Sequence, residues 1–312
     1  MPEANPPARE PLLEHPGRLI DCIERQTQLA RQRGALHSVP TEFETIEQGG
    51  IPFTVRVLAH LAQKDRARQS SQRAAGTARS RDPFLPYERD LFVADISATH
   101  ACLLNKYNVM ERHLLLVTRA FESQQNWLTA SDFEALGACL AEVDGLGFYN
   151  AGEAAGASQP HKHLQLVPLP LAPQGPPVPI EPAIEAAPSA NGAVRLPHLP
   201  FPHAFMRLDP SWTQAPTASS ASVLERYQRL MRALGFSPQA GPPSPPYNLL
   251  AARDWMLAVP RCQGSVAGIE INALGFAGAL LVRDRQQLER LQARGPLAVL
   301  QATAGTTRGS PA

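Results

Sequence analysis

The sequence predicts an α+β fold in which an antiparallel sheet carries flanking helices and the chain divides into two halves. Three observations predict it. Short apolar, partly β-branched runs follow one another without helices between them, and a proline-dense segment separates two stretches of similar texture. Neither a G-x-G-x-x-G nor a Walker A loop is present to support a parallel nucleotide-binding sheet. With 312 residues the chain can bury a full core without disulfides or a structural metal.

Residues 1–16, proline-rich and charged, read as a disordered tail. From about Arg18 to Arg33, the apolar Leu19, Ile20, Ile23 and Leu29 predict a helix closed by Gly34. IPFTVRVLAHL alternates as an extended segment. Residues 66–82 carry five arginines and no large apolar residue, and so read as a mobile loop within an N-terminal half spanning 17–172. LFVADI, HACLLN and HLLLVT predict strands. A helix follows, with Ser131 and Glu134 as its capping box, Phe133, Leu136, Leu140 and Val143 as its stripe and Asp144-Gly145 as its stop. GFYNAG and HKHLQLVPL return to strand texture. Residues 168–200 hold ten prolines, so 173–200 reads as a crossing linker. In the C-terminal half, 201–304, a helix is expected near Val223–Leu234, then the strand WMLAVPR, the segment EINALGFAGALLVR, and a helix from about Arg285 to Arg294 before Gly295-Pro296; 305–312 is a tail.

Composition excludes several classes of function. Twenty-nine basic residues against 28 acidic ones give a net charge of +1, so no global field attracts nucleic acid or an anionic membrane. The N-terminus lacks the apolar core of a signal peptide, and no apolar run is long enough to span a bilayer, which predicts a cytoplasmic protein. Cys22, Cys102, Cys139 and Cys262 are scattered with no C-x-x-C pair, so four reduced thiols are expected and no cysteine-based zinc site. Only three of the 29 basic residues are lysine: Lys64, Lys106 and Lys162. Lysine is a compact ammonium and arginine a wide planar fork, so a site that needs a point charge against phosphate does not accept the exchange.

The chemistry concentrates in ASQPHKHLQLVPLP. His161, His163 and Gln165 fall at period two, which on a strand puts all three side chains on one face. An isolated H-x-H is compatible with two metal ligands, two satisfied core histidines, or a nucleophile with its orienting neighbour. No H-E-x-x-H or clustered carboxylates support the metal reading, and no metal site is expected.

YNAGEAAGASQPHKHLQLVPLP resembles the active-site segment of the bacterial and fungal diadenosine tetraphosphate phosphorylases, or ATP adenylyltransferases, of the histidine-triad superfamily that also contains galactose phosphate uridylyltransferase. PFLPYERDLFVADISATHACLLNKYNVMERHLLLVTRAFESQQNWLTASDF is similar to the family's preceding strands and helix. PYNLLAARDWMLAVPR and GIEINALGFAGALLV are similar to its C-terminal half. The resemblance runs from about Pro52 to Val282.

It implies a histidine-triad-like fold, with the active cleft where the halves meet. It further implies nucleotidyl transfer: diadenosine tetraphosphate plus phosphate to ATP plus ADP, reversibly, through an adenylyl-histidine. Related nucleotidyl transfers, such as adenylyl sulfate phosphorolysis, and a non-catalytic dinucleotide sensor are the alternatives. His163 takes the nucleophile's position. A neutral imidazole is a good nucleophile near pH 7, and its second nitrogen must donate to a backbone carbonyl so that the lone pair faces phosphorus. His161 and Gln165 flank it, to hydrogen-bond the α-phosphate or fix the ring. Gln165, unlike a histidine there, cannot protonate a leaving group, which favours a transferase. The resemblance implies polyphosphate contacts by Lys64, Lys106 and the neighbouring Asn105, while Lys162 alternates away from His163 as a solvated or second-layer residue. Asn150, Gly156, Ala157, Ser158 and Gln159 match the stretch before the triad, Asn150 as a ribose or phosphate ligand. Asn272, Ala273, Leu274 and Gly275, with Arg283 where lysine is usual, match a second nucleotide-contact region. His113 lies at a place similar to a zinc-ligand position of the uridylyltransferases, but the partner cysteines are missing and it reads as a structural strand histidine. Tyr247 and Trp255 read as core. The expected partners are small nucleotides, with no nucleic acid and no membrane. No cofactor is expected to be tightly bound; a divalent cation such as Mg would accompany the substrate phosphates.

Overall fold

The computed structural model describes residues 5–58, 82–188, 190, 192–238 and 241–305. The mobile-loop reading of 66–82 and Lys64 therefore lie outside the described residues, Asp82 excepted. Helix α1 (Leu19–Gln32) leads into a hairpin of β1 (Thr41–Gln48) and β2 (Ile51–Leu58). Strands β3 (Phe92–Asp95), β4 (His100–Leu104) and β5 (Leu114–Thr118) precede helix α2 (Ala130–Glu142), and β6 (Gly145–Asn150) and β7 (His163–Pro168) follow it. The remainder comprises α3 (Glu181–Glu185), β8 (Ala204–Arg207), α4 (Pro216–Ala233), β9 (Tyr247–Ala251), β10 (Trp255–Pro260), a two-residue pair β11 (Ser265–Val266) and β12 (Ile269–Glu270), α5 (Ala273–Phe276), β13 (Ala279–Val282), α6 (Arg285–Arg294) and α7 (Pro296–Thr303).

The expected antiparallel α+β architecture is observed, with strands of both halves in one large sheet beside a smaller β1-β2-β13 sheet, in which β13 runs parallel to β2, and the β11-β12 pair. Eight strands run in the order β3-β4-β5-β7-β6-β9-β10-β8, every neighbour antiparallel. The two halves of the sequence join at its centre, where Gly147–Asn150 of β6 pairs with Asn248–Ala251 of β9. Alternation then sorts the side chains. One face, with Tyr149, Leu164, Leu166 and Leu249, packs under α2 and α4 through Phe133, Leu136, Tyr227 and Met231. The opposite face carries two separate apolar patches, one around Phe84, Tyr87, Leu115 and Val117, the other around Leu146, Phe148, Val167 and Leu250. By register, His163 lies opposite Val117, and Gln165 opposite Leu115 and Phe148, so both sit where the patches meet.

Several expectations change. The N-terminal segment is not loose over its described part: Leu12 is 1% exposed, its N–H donates to Asp95 O, and Arg9 N–H donates to the Asp95 carboxylate. The sequence underestimated this anchoring because the partner lies over 80 residues away. Residues 173–200 are no free linker, since Val178, Ile180, Ala183, Ile184, Leu196 and Leu199 are buried on the second face of the sheet. The capping box of α2 is Thr129 with Asp132, two residues before Ser131 and Glu134. Thr129 holds the extended backbone of an N-cap and exchanges hydrogen bonds with Asp132. Helix α4 starts earlier than expected, with a proline at its first turn, and α7 was not anticipated. Tyr247 and Trp255 are buried, as read.

Candidate active site

His163 opens β7 and is 3% exposed. Its Nδ1 lies 2.8 Å from the backbone oxygen of His161. A carbonyl can only accept, so Nδ1 carries the hydrogen and Nε2 is left with the lone pair. Burial pushes its pKa down to about 4, against a smaller upward effect of the His161 carbonyl. An unshifted imidazole titrates just below neutrality, whereas this desolvated ring stays neutral well into the acid range. Because a depressed pKa keeps the base form present down to that value, kcat/KM for the substrate adenylyl donor should stay flat from pH 8 to about 5 and fall with a midpoint near 4. A midpoint near 6.5 would mean a solvated imidazole. The pH–rate profile decides between them.

The histidine's backbone is held as firmly as its ring. Gln124, 2% exposed, accepts from His163 N–H at 2.8 Å and donates to Asn150 O and His163 O at 2.9 and 3.2 Å. His161 lies just outside the strand. Its Nε2 contacts Thr118 O and Oγ1 at 2.8 and 2.9 Å, and its Nδ1 contacts the Asp82 carboxylate at 2.7 Å. Its ring packs edge-on against Phe84 and Phe121. Both nitrogens are thus committed inside the protein, and of the two roles offered for His161 the geometry fits fixing the nucleophile. Lys162 points to the opposite, helical face and is fully buried, not solvated. It donates to Asp132 at 2.6 Å, and to Glu122 and Trp127 O at 3.2 Å each. His100 Nε2 meets the other Asp132 oxygen at 3.1 Å.

Gln165 is half-buried. His113 Nε2 lies 2.9 Å from its Oε1, and His113 Nδ1 lies 3.1 Å from Asn105 Nδ2. The described side chain of Asn105 thus serves His113, and His113, just ahead of β5, contacts the triad instead of merely filling a strand. Lys106 pairs with Glu88 at 2.6 Å and is one-third exposed.

The stretch before the triad meets the C-terminal half directly. Gly156 has φ +88°, and a β-carbon there would sit 2.7 Å from Ile271 O and 3.0 Å from Asn272 Cα, so only glycine permits this approach. Asn150 Oδ1 accepts from Asn248 Nδ2 at 2.8 Å and from Ala273 N–H at 3.0 Å. Its oxygen is therefore structural and not available to ribose. Arg261, 4% exposed, spends its donors on Ala155 O, Asn248 Oδ1, Gln263 O, Ile271 O and Thr303 O and, among the described residues, pairs with no carboxylate. Asn272 caps α5 through Leu274 N–H, Ala273 and Leu274 are buried, and Ala157, Ser158 and Gln159 remain at least partly accessible. Asn150, Gly156, Asn272 and Ala273 are brought together. Arg283 is not joined to them: it is exposed beyond β13 and pairs with Glu270. Gln124, Asp82, Asn248 and Arg261 escaped the sequence reading, because each acts through partners distant in the chain and none falls on a periodic pattern.

Comparison with known proteins agrees with this arrangement. A family model described as the Ap4A phosphorylase N-terminal domain matches residues 9–186, and one described as the ATP adenylyltransferase C-terminal domain matches residues 197–305. The chain is 28% identical over 298 residues to diadenosine 5',5'''-P1,P4-tetraphosphate phosphorylase 2 of Saccharomyces cerevisiae, covering 84% of this chain and 86% of the relative. Its fold is similar to the crystal structure of yeast Ap4A phosphorylase Apa2 (TM-score 0.74, 25% identity, covering 94% and 96% of the two chains). The same enzyme in complex with Ap4A matches with TM-score 0.74 at 24% identity, covering 92% and 97%. With over half its length matched by the first family model alone, this chain belongs to the Ap4A phosphorylase family.

Proposed function

We propose that the chain catalyses phosphorolysis of diadenosine tetraphosphate to ATP and ADP, reversibly. The observation that carries the reading is the ring of His163: neutral, with Nδ1–H tied to a carbonyl and Nε2 without a partner among the described residues. Nε2 attacks an α-phosphorus and the P–O bond to the departing ATP breaks, leaving an adenylyl group on His163. An oxygen of inorganic phosphate then attacks that phosphorus, the N–P bond breaks, and ADP leaves. The departing polyphosphate is weakly basic and needs no proton from the enzyme, which suits a triad whose third member is an amide.

Lys64 and Lys106 supply compact positive charge to the polyphosphate in this reading, Lys106 by exchanging Glu88 for phosphate. A divalent cation such as Mg accompanies the substrate phosphates in this reading. The protein is read as cytoplasmic on its four unpaired cysteines. Among the described residues no helix is long and apolar enough to cross a membrane.

Incubation with the dinucleotide, with and without phosphate, and separation of products tests the reaction. ATP and ADP should form only with phosphate. AMP and ATP formed regardless of phosphate would indicate a hydrolase, and binding without product a sensor.

A further inference from the structure

We infer that His113 is a positioning residue that fixes which end of the Gln165 carboxamide faces the reacting phosphate. The inference rests on the proposed reaction and concerns a side chain one step removed from it. Its starting point is a backbone group. Tyr107 N–H donates to Asn105 Oδ1 at 3.3 Å, so the opposite end of that amide, Nδ2, is the one presented to His113 Nδ1. An amide nitrogen only donates, so His113 Nδ1 must be the bare nitrogen and Nε2 must carry the hydrogen. Nε2–H in turn can only donate, and the atom it meets at 2.9 Å is Gln165 Oε1. The carboxamide nitrogen of Gln165 is therefore turned away from His113, and among the described residues it has no partner.

The direction of this chain matters because the ligand is an anion. Two N–H donors aimed at a non-bridging phosphate oxygen stabilise the charge that moves through the site during transfer, whereas the inverted amide would set an oxygen lone pair against it. A rotatable amide next to phosphate could be inverted by a water or a cation. His113 removes that freedom: it is 8% exposed, its ring packs on Phe148, and burial pushes its pKa down to about 4, so it does not titrate near neutrality.

The test is a double-mutant cycle on the full chain. His113→Leu should lower kcat about tenfold while changing KM for the dinucleotide less than about threefold, the loss expected when a donor at the developing charge is no longer aimed. In a Gln165→Ala background the same substitution should cost less than about twofold, because the amide it aims is gone. His113→Gln, whose carboxamide nitrogen can replace Nε2–H, should recover most of the rate. Full additivity in the cycle would overturn the proposal, as would a His113→Gln that folds normally yet is no better than His113→Leu. Long-range 1H–15N correlation on the wild-type protein at pH 7 reads the tautomer without any turnover: Nε2–H is expected, and Nδ1–H would overturn the proposal even if leucine at this position prevents folding. If the wild-type protein releases neither ATP nor ADP, the reaction reading falls separately. The cycle is then read from the Kd for AMP, where the same non-additivity supports the inference and additivity ends it.

Discussion

His163→Ala is expected to lower turnover at least about ten-thousandfold while leaving the Kd for the dinucleotide within about threefold, because it deletes the proposed nucleophile and little of the contact surface. The imidazole is almost wholly enclosed, so its removal vacates a small space between Phe84 and the end of β7 instead of stripping a binding wall. Its main-chain bonds to Gln124 survive the substitution. Wild-type protein mixed with labelled dinucleotide in the absence of phosphate and quenched in alkali should retain label on the polypeptide, and the variant should not. Residual turnover above about 1% of wild type would require direct attack of phosphate on the dinucleotide and would remove the covalent intermediate from the reaction.

The largest effect on stability is expected from Asp132→Asn, a loss of about 3–5 kcal/mol in urea unfolding, because it leaves the buried Lys162 ammonium without its closest counter-charge. Replacing both partners with apolar residues, Asp132→Leu with Lys162→Met, should cost much less than the single change, since the pair leaves no buried charge behind and the released Glu122 carboxylate is exposed to solvent. Acid unfolding gives an independent reading. Burial on its own raises the carboxyl pKa of Asp132, but the hydrogen bond from His100 and the charge of Lys162 outweigh it and bring the group from 3.8 to about 2. A carboxyl depressed by folding stabilises the protein above its unfolded pKa, and that contribution, on the order of 2 kcal/mol, disappears as pH falls from about 4 to about 2. The histidines act in a higher window. His113, His163 and His203 are each held near 4 by burial, so their stabilisation is complete above about pH 6.5 and declines as pH falls toward 4. Asp132→Asn should therefore share the wild-type decline between pH 6.5 and 4 and lack the further one below it. Superimposable curves below pH 4 would refute the assignment.

The parts of the molecule legible in the sequence are those whose signal is local. Period-two spacing placed His163 and Gln165 on one strand face, and the runs at 91–96, 100–105 and 113–118 contain β3, β4 and β5. Lys162 shows where local signals stop. Alternation turned it away from His163 and left open whether it is solvated or lies in a second layer; burial excludes the first, which the sequence could not do because its counter-charge, Asp132, lies 30 residues earlier on a helix. Asn150 shows the same limit: the sequence suggests a ligand, and only the approach of Asn248 and Ala273 shows that its oxygen is already occupied within the protein. Arg261 gives no sequence signal at all. An arginine satisfied entirely by carbonyl groups is recognisable only once four other chain segments, at Ala155, Asn248, Ile271 and Thr303, converge on it.

The central pairing of β6 with β9 also bears on how the chain comes to be folded. Asn248 follows Asn150 by 98 residues, so at a synthesis rate of about 5–20 residues per second the outer edge of β6 waits several seconds for its partner. During that wait the nascent chain displays an open row of amide and carbonyl groups beside the future nucleophile, an invitation to pair with the same strand of a neighbouring polypeptide. The proline-dense stretch emerges in this interval and cannot itself extend the sheet as a central strand. Premature termination between the two strands should accordingly yield a fragment that aggregates through that open edge.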